Sequence, residues 1–385
     1  MKSKFEQLCG ELNLTPHAPS EAALLALKHW YAEQVSSERS VQDIVMATRH
    51  YLEFFLPNLP AEMADNVLAF NNMNTVQYAA TMGYNRFLAE LPPSEKGLYN
   101  LAIERNGMTP LHLAASHGWV HAVEVLLQKG ALPTKKNTMG QYPIYSALFT
   151  PVSADDLYRK RKVEIFNALK RAAPNTVAGQ DDSGETVANL AVMHGYVSIV
   201  SDLIQSHRSS FFTPDNFMKY PIHYAVMNNQ LRVISLLLAD QGIAELADSD
   251  GRVALHYAAR STNTAVLKAC LPFYDDLDIR DLMHKTPLLY AAEAGNFDGL
   301  QVLVKHKADV HATDFHSSGV LHYATMSSNL DMVRWILDNL SLNINTLDNA
   351  GKTALDYANQ EERVDISSLL VERGAVKGEP GLSPH

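Results

Sequence analysis

The sequence predicts an all-α protein of about nine short helix pairs in tandem, with an N-terminal helical cap before them. Three observations lead to this fold class. A motif recurs along most of the chain at intervals of 33 to 35 residues. Each copy joins a first segment rich in alanine to a second segment with a broad apolar face. The composition, with 46% hydrophobic and 19% charged residues, is that of a folded chain. Because units this short bury little surface by themselves, neighbouring copies must stack.

The register of the copies is set by the residue that starts each first helix. Threonine suits this position because its hydroxyl caps a helix, and proline is tolerated directly after it. The interval between two successive marks is 44 residues in one case, 11 more than 33, which places an insertion near 150–161. The marks are Asn74, Thr109, Tyr142, Thr186, Tyr220, Val253, Thr286, Gly319 and Thr353.

A tight turn is expected two residues before each mark, where a positive φ favours glycine. Five copies have glycine there, namely Gly107, Gly140, Gly184, Gly251 and Gly351. Met218, His284 and Ser317 replace it in three others. We therefore expect these three turns to be less regular or more strained.

The clearest copy reads NGMTPLHLAASHG at 106–118, and KTPLLYAAEAG at 285–295 keeps most of it. This motif resembles the ankyrin repeat, and the resemblance covers residues 69–375. It implies an ankyrin-repeat solenoid with a concave surface of hairpin tips and first-helix ends, which in this family commonly binds proteins. It also implies that His112, His223, His256 and His322 make structural hydrogen bonds between neighbouring repeats. The first copy, NTVQYAATMG at 74–83, lacks proline and histidine, as suits a terminal unit.

Three regions fall outside this register. Residues 1–68 are predicted to form a helical cap over the edge of the first repeat. Two other interpretations of that region are a separate partner-binding surface and an F-box-like segment in LPAEMADNVLAF at 59–70. The insertion carries a basic run at 159–162, which we interpret as a solvated helix lead-in, with a nuclear import signal or phosphate-binding patch as alternatives. Residues 376–385 are predicted to be a disordered tail.

Composition and motifs disfavour several functional classes. The net charge of −10 opposes nonspecific binding to nucleic acid or anionic membranes, and no apolar run is long enough for a membrane span. With two cysteines, Cys9 and Cys270, the chain builds neither a disulfide scaffold nor a four-cysteine zinc module. The histidines and aspartates of 306–316 cross a repeat boundary, so their side chains are expected to diverge. We find no catalytic or phosphate-binding motif and predict no enzyme, metal or cofactor.

The candidate partner-binding residues are those at expected solvent positions of the concave surface, where packing gives apolar side chains no role. Methionine adapts its shape to a partner, and exposed apolar patches often mark interfaces. Alternatively, some tips fold against each other. The apolar set is Met139, Met193, Phe217, Met227, Met283, Phe315 and Met326. The polar set is Arg105, Asn106, His117, His194, Lys219, Arg252, Lys285 and His316.

The sequence therefore predicts a non-enzymatic, cytoplasmic scaffold that binds an unidentified protein; the oligomeric state stays open. The degenerate repeats also resemble ankyrin proteins that intracellular bacteria deliver into host cells, which would place the protein in the host cytoplasm. The alternative is an ankyrin-targeted enzyme or ubiquitin-ligase adaptor, with its activity or recruitment in the N-terminal region.

Overall fold

The computed structural model describes residues 75–83, 85–90, 97–151 and 154–378. The chain forms two compact units, with the boundary between Asp182 and Ser183. The first unit contains three helix pairs and the 3₁₀ turns Leu98–Asn100 and Pro174–Thr176. The pairs are Thr75–Met82 (α1) with Asn85–Glu90 (α2), Pro110–Ser116 (α3) with Val120–Gln128 (α4), and Pro143–Ser146 (α5) with Asp156–Ala172 (α6).

The second unit contains six helix pairs, one short extra helix and two 3₁₀ turns, Arg208–Phe212 and Leu271–Phe273. The described residues thus contain the nine helix pairs that the sequence predicts, and they contain no β-strand. The helices are Val187–Met193 (α7), Val197–Ser206 (α8), Pro221–Met227 (α9), Leu231–Leu238 (α10), Gln241–Ala244 (α11), Ala254–Arg260 (α12), Thr264–Cys270 (α13), Pro287–Glu293 (α14), Phe297–Lys305 (α15), Val320–Met326 (α16), Leu330–Asn339 (α17), Ala354–Gln360 (α18) and Val364–Glu372 (α19).

The first helix of each pair begins where the sequence predicts. Thr109 and Thr286 have extended backbones directly before a helix, and Pro110 and Pro287 follow as first helical residues. Proline fits this position because the amide hydrogen it lacks would have no partner inside the helix. Within each unit, successive first helices contact one another. We call them the inner helices and their partners the outer helices.

Alanine pairs allow the inner helices to pack closely. Ala258, Ala259, Ala291 and Ala292 are fully buried between neighbouring repeats. The outer helices add larger apolar side chains, such as the buried Val233 and Leu237 of α10. The thiol of Cys270 is buried in α13, as expected, and burial raises its pKa to about 12. The thiol is therefore protonated at neutral pH, and it is a packing group.

Four buried histidines link neighbouring repeats, which confirms their structural role. In each, Nδ1 accepts a hydrogen bond from the backbone N–H of the residue before the helix, so Nε2 carries the proton and donates. Nε2 lies 3.0 to 3.3 Å from a backbone oxygen of the next repeat. The pairs are His112 with Gln141, His223 with Leu246, His256 with Ile279, and His322 with Lys352. Burial lowers the pKa of all four, to about 4 for His112 and His223.

The insertion lengthens the outer helix of its repeat. Helix α6 has 17 residues, whereas the other outer helices have at most ten. The prediction of a solvated basic run is wrong for Lys162, which is completely buried. Its Nζ donates to the carbonyl oxygens of Ala115, Ser116 and Ser146 at 2.8 to 2.9 Å. Lys162 thus ties α6 to the C-terminal ends of α3 and α5, and burial lowers its pKa to about 7.

The two chain ends differ in what the structure describes. The predicted N-terminal cap at 1–68, with its F-box-like segment, lies outside the described residues. Two residues of the predicted tail, Val376 and Gly378, are hydrogen-bonded to the end of the array. The N–H of Val376 donates to Asn345 Oδ1, and that of Gly378 donates to Asp356 Oδ2. Asp356 occupies the position that histidine fills in four other repeats.

Candidate protein-binding surface

Buried aspartates hold the hairpins of the second unit against the inner helices. The Asp281 Oδ1 atom accepts the backbone N–H groups of Met283 and Lys285 at 2.9 and 2.8 Å. Its Oδ2 accepts the Tyr290 hydroxyl at 2.7 Å. The same carboxylate–tyrosine pair recurs in five successive repeats, so each hairpin is fixed to its own helix. The pairs are Asp215 with Tyr224, Asp248 with Tyr257, Asp281 with Tyr290, Asp314 with Tyr323, and Asp348 with Tyr357.

These networks shift the pKa values of Asp248 and Tyr357. Burial by itself would raise the pKa of Asp248, but hydrogen bonds from Tyr257 and Arg252 lower it to about 2. Burial and the bond to Asp348 raise the pKa of Tyr357 to about 12. At neutral pH, Asp248 is therefore an ionised carboxylate and the Tyr357 phenol is neutral. The role of the aspartate–tyrosine pairs is to hold each hairpin against its inner helix.

Cationic side chains lie over the tyrosine rings. The Arg252 guanidinium is 5.2 Å from the centre of the Tyr257 ring, and Lys352 Nζ is 5.2 Å from that of Tyr357. Lys285 Nζ lies 4.8 Å from the Tyr290 ring and 4.1 Å from Tyr323 of the next repeat. Cation–π contacts of this length are favourable.

Lys285 corrects the sequence prediction. It was expected to be an exposed polar contact, but the residue is 8% exposed. Its Nζ forms an ion pair with Glu293 Oε1 at 2.6 Å in addition to the two ring contacts. Because these contacts all lie within the protein, Lys285 is not a candidate partner-binding residue.

The tips of neighbouring hairpins are joined through their backbones. The N–H of Phe315 donates to the Met283 carbonyl at 2.8 Å, and the N–H of Leu282 donates to the Asp250 carbonyl at 2.9 Å. The Phe315 ring also lies edge-on to the His284 ring, with centres 5.9 Å apart. These contacts fix where the tip side chains project.

The predicted turn conformations are confirmed. All five glycines two residues before the register mark have positive φ. Met218, His284 and Ser317 have φ of 57°, 59° and 61° at the equivalent positions. Left-handed backbone costs a residue with a Cβ atom roughly 1 kcal/mol or more. These three turns are strained, as expected.

Large apolar side chains are exposed at the same tips and at one inner-helix end. Phe217 and Phe315 are 66% and 60% exposed at tips, Met283 is also exposed at a tip, and Met227 is exposed at the C-terminal end of α9. The sequence interpretation missed Leu282, which is 70% exposed, and Met218. Their position beside Met283 and Phe217 in the same turns was the signal that could have found them. We call the residues Phe217, Met218, Met227, Leu282, Met283 and Phe315 the apolar tip set.

The remaining candidates are less suited to recognition. Met193 and Met326 were expected at solvent positions, but both are half-buried at the ends of α7 and α16. Lys219 is half-buried, with Nζ 5.5 Å from the centre of the Phe217 ring. The Arg252 side chain pairs with Asp248 and Asp250. Each side chain is partly engaged within its own repeat.

Three candidates belong to the first unit. Met139, Arg105 and His117 are exposed there. The His117 Nδ1 atom lies 2.9 Å from the Leu113 carbonyl oxygen, so this ring is oriented by its own helix. Met139 is the exposed apolar member of this group.

Within the described ranges, no three histidine, cysteine, aspartate or glutamate side chains come together in a group suited to a metal ion. In 306–316, Asp309 and Asp314 accept backbone N–H groups of their own turns. None of the described helices is long and apolar enough to cross a membrane.

A helical repeat protein is defined by three features of this fold. These are the tandem helix pairs, the turns with positive φ before the inner helices, and the histidine hydrogen bonds between repeats. Comparison with known families specifies the repeat. Residues 222–314 match the family model "Ankyrin repeats (3 copies)", residues 321–371 match "Ankyrin repeats (many copies)", and residues 106–138 match "Ankyrin repeat". The chain is an ankyrin-repeat protein.

Individual relatives share only parts of the chain. Neurogenic locus notch homolog protein 1 of Xenopus laevis is 26% identical over 146 residues, which are 38% of this chain and 5% of that protein. The crystal structure of the ankyrin repeat domain of Bcl-3, a member of the IkappaB protein family, is 26% identical with a TM-score of 0.45. That match covers 50% of this chain and 88% of the Bcl-3 domain.

Proposed function

We propose that this protein is a non-enzymatic scaffold that binds a partner protein on the hairpin and inner-helix face of its second unit. The main contacts are Phe217, Met227, Met283 and Phe315, which the sequence predicted, together with Leu282 and Met218. Met139, Arg105 and His117 form a separate candidate contact region on the first unit.

The observation that carries this proposal is the apolar tip set. A soluble fold gains little from large apolar side chains in water, and groups of them commonly mark interfaces. Phe315 and Leu282 lie on neighbouring hairpin tips, and a backbone hydrogen bond from Phe315 to Met283 joins these two tips. A partner therefore meets a pre-arranged surface. Pre-arranged groups lose less conformational entropy on binding. The aromatic and methionine side chains are of the types enriched in interfaces.

Substitution of the two aromatic tips tests the proposal. Interface anchors commonly lose roughly 1 to 4 kcal/mol on truncation, whereas exposed side chains without such a role change stability by about 0.5 kcal/mol. The double variant Phe217→Ala with Phe315→Ala should therefore lose capture of its natural partner from cell extract and keep its thermal unfolding midpoint.

A matched control uses Val364→Ala with Val371→Ala. Both valines are exposed on the outer helix α19, so this double variant should capture the partner normally. Normal capture by the phenylalanine double variant, or early unfolding of that variant, would remove the apolar tip set as the recognition surface.

Two finer predictions of the sequence concern biology rather than this surface. Delivery by an intracellular bacterium into a host cytoplasm stays a prediction, to be tested by fusing the full chain to a translocation reporter. The alternative of an enzyme or a ubiquitin-ligase adaptor also stays a prediction, because its residues precede the described part of the chain. Recruitment of ubiquitin-ligase subunits by the full chain would support it.

A further inference from the structure

The repeat between the two parts of the apolar tip set exposes an arginine that has no carboxylate partner among the described residues. Across the inner helices, the residue just before the register mark faces the residue seven positions after it. Lys285 Nζ contacts Glu293 Oε1 at 2.6 Å, and Lys352 Nζ contacts Gln360 Oε1 at 2.7 Å. In the repeat that begins at Val253, both of these positions hold arginine, Arg252 and Arg260.

The two arginines differ in their partners. The Arg252 guanidinium turns back to the Asp248 and Asp250 carboxylates, at 2.9 and 2.5 Å. Arg260 is exposed at the end of α12 and forms no ion pair within the described ranges. The neighbouring Glu293 is already paired with Lys285. Arg260 thus presents an exposed, unpaired guanidinium at the C-terminal end of an inner helix.

Apolar groups lie in the repeats on both sides of this cation. The preceding repeat provides Phe217, Met218 and Met227, and the two following repeats provide Leu282, Met283 and Phe315. The hairpin between them has the small, polar tip Ser249, Asp250 and Gly251. Arg260 therefore lies in a polar repeat between the two apolar groups.

Backbone strain coincides with the apolar groups. Among the six hairpins of the second unit, the three with a non-glycine residue at positive φ are those with Met218, His284 and Ser317. These same three carry the large exposed apolar tips Phe217, Leu282 with Met283, and Phe315. The hairpins with Gly184, Gly251 and Gly351 have small or polar tips. Among the hairpins, the non-glycine turns are therefore the ones that carry the apolar side chains.

We infer that the partner presents an acidic side chain that pairs with Arg260, between two apolar groups that contact the flanking tips. This inference rests on the proposed function and specifies the chemistry of its partner. Packed inner helices lie about 8 to 10 Å apart, so tips two repeats apart are separated by roughly 16 to 20 Å. A charge-assisted hydrogen bond to guanidinium in this position would fix the register of the bound segment.

Peptide selection on the full chain tests the inference without knowledge of the natural partner. The probe is a phage-displayed library of random peptides of about 16 residues, which span roughly 24 Å as a helix. Peptides enriched on the wild type are expected to carry Asp or Glu between two apolar groups. Their affinity should fall about tenfold or more on Arg260→Glu. Selection on that variant should favour Lys or Arg at the same place.

Arg232→Glu is the matched control, because Arg232 is exposed on the outer helix α10. It makes the same charge change away from the inner helices and should leave peptide binding unchanged. Thermal unfolding of both variants shows that the fold is kept. Peptides without an acidic preference, equal binding to Arg260→Glu, or failure to enrich any peptide would overturn the inference.

The Phe217→Ala with Phe315→Ala variant separates the two proposals. Peptides that lose binding on this variant but tolerate Arg260→Glu leave the apolar surface intact and remove the acidic contact. Peptides that tolerate both variants count against the proposed function as well.

Discussion

The histidine links predict a specific sensitivity of the fold to acid. His223 accepts the backbone N–H of Tyr220 through Nδ1 and donates to the Leu246 carbonyl through Nε2. Protonation would place a hydrogen on Nδ1, in addition to the one on Nε2, and would remove the acceptor role of Nδ1. Burial therefore lowers the pKa of His223 to about 4, against 6.5 for an ordinary histidine.

The stability lost on acidification follows from the difference between the pKa of His223 in the folded chain and in the unfolded chain. Between pH 4 and 6.5 the unfolded chain binds the proton and the folded chain does not, so acidification favours unfolding. The contribution of His223 to stability is present above pH 6.5 and is lost as the pH falls toward 4. With these two pKa values, the free energy of unfolding falls by about 2 kcal/mol between pH 7 and pH 5 at this one residue.

The protein itself suggests the variant that tests this reasoning. Asn189 occupies the histidine position in the repeat of α7, where its Oδ1 accepts the Thr186 N–H at 3.0 Å. His223→Asn should keep that acceptor, lose the bond to Leu246 and remove the titration. Stability at pH 7 should fall by about 1 to 2 kcal/mol. Between pH 7 and pH 5, the free energy of unfolding should fall by about 2 kcal/mol less in this variant than in the wild type.

Urea unfolding of both proteins at pH 7 and pH 5, followed by circular dichroism, measures all four free energies. A His223→Asn variant that loses as much stability on acidification as the wild type would refute the assignment of a neutral, buried histidine.

Three further substitutions have defined expectations. Asn189→His should raise the free energy of unfolding in urea by about 1 kcal/mol. The Asn189 Nδ2 atom is buried without a hydrogen-bond partner, whereas the longer histidine side chain can donate to the next repeat. An unchanged free energy of unfolding would contradict the stabilising role of the histidine links. Lys162→Met should lower it by roughly 3 kcal/mol, because three carbonyl oxygens lose their donor; a change below about 0.5 kcal/mol would refute the account of Lys162. His284→Gly should raise the thermal midpoint by relieving about 1 kcal/mol of strain at φ 59°; a lower midpoint would show that the His284 contacts outweigh the strain.

The sequence predicted those features that depend on local rules and repeat spacing. The register marks located the nine helix pairs, and the replacement of glycine by Met218, His284 and Ser317 identified the strained turns. The role of the linking histidines followed from their fixed place in a repeated motif. Each of these signals is contained within one repeat or in the distance between two copies.

Side chains whose environment depends on several elements could not be predicted in the same way. Lys162 stands in a basic run that usually marks a solvated face, but three carbonyl oxygens at helix ends converge on its Nζ. Lys285 is buried because Glu293 and the tyrosine of the following repeat surround it. The recurrent spacing of nine residues between hairpin aspartates and inner-helix tyrosines is visible in the sequence. Its meaning becomes clear only when the hairpin folds against its helix.

Site-specific photo-cross-linking tests the central claim, that the partner binds on the hairpin and inner-helix face of the second unit. A photoreactive residue is placed at Met283 or, as a control, at Arg334, which is exposed on the outer helix α17. Cross-links to the captured partner are expected from position 283 and not from position 334. Cross-links from position 334 with none from position 283 would contradict the account and place recognition on the outer helices.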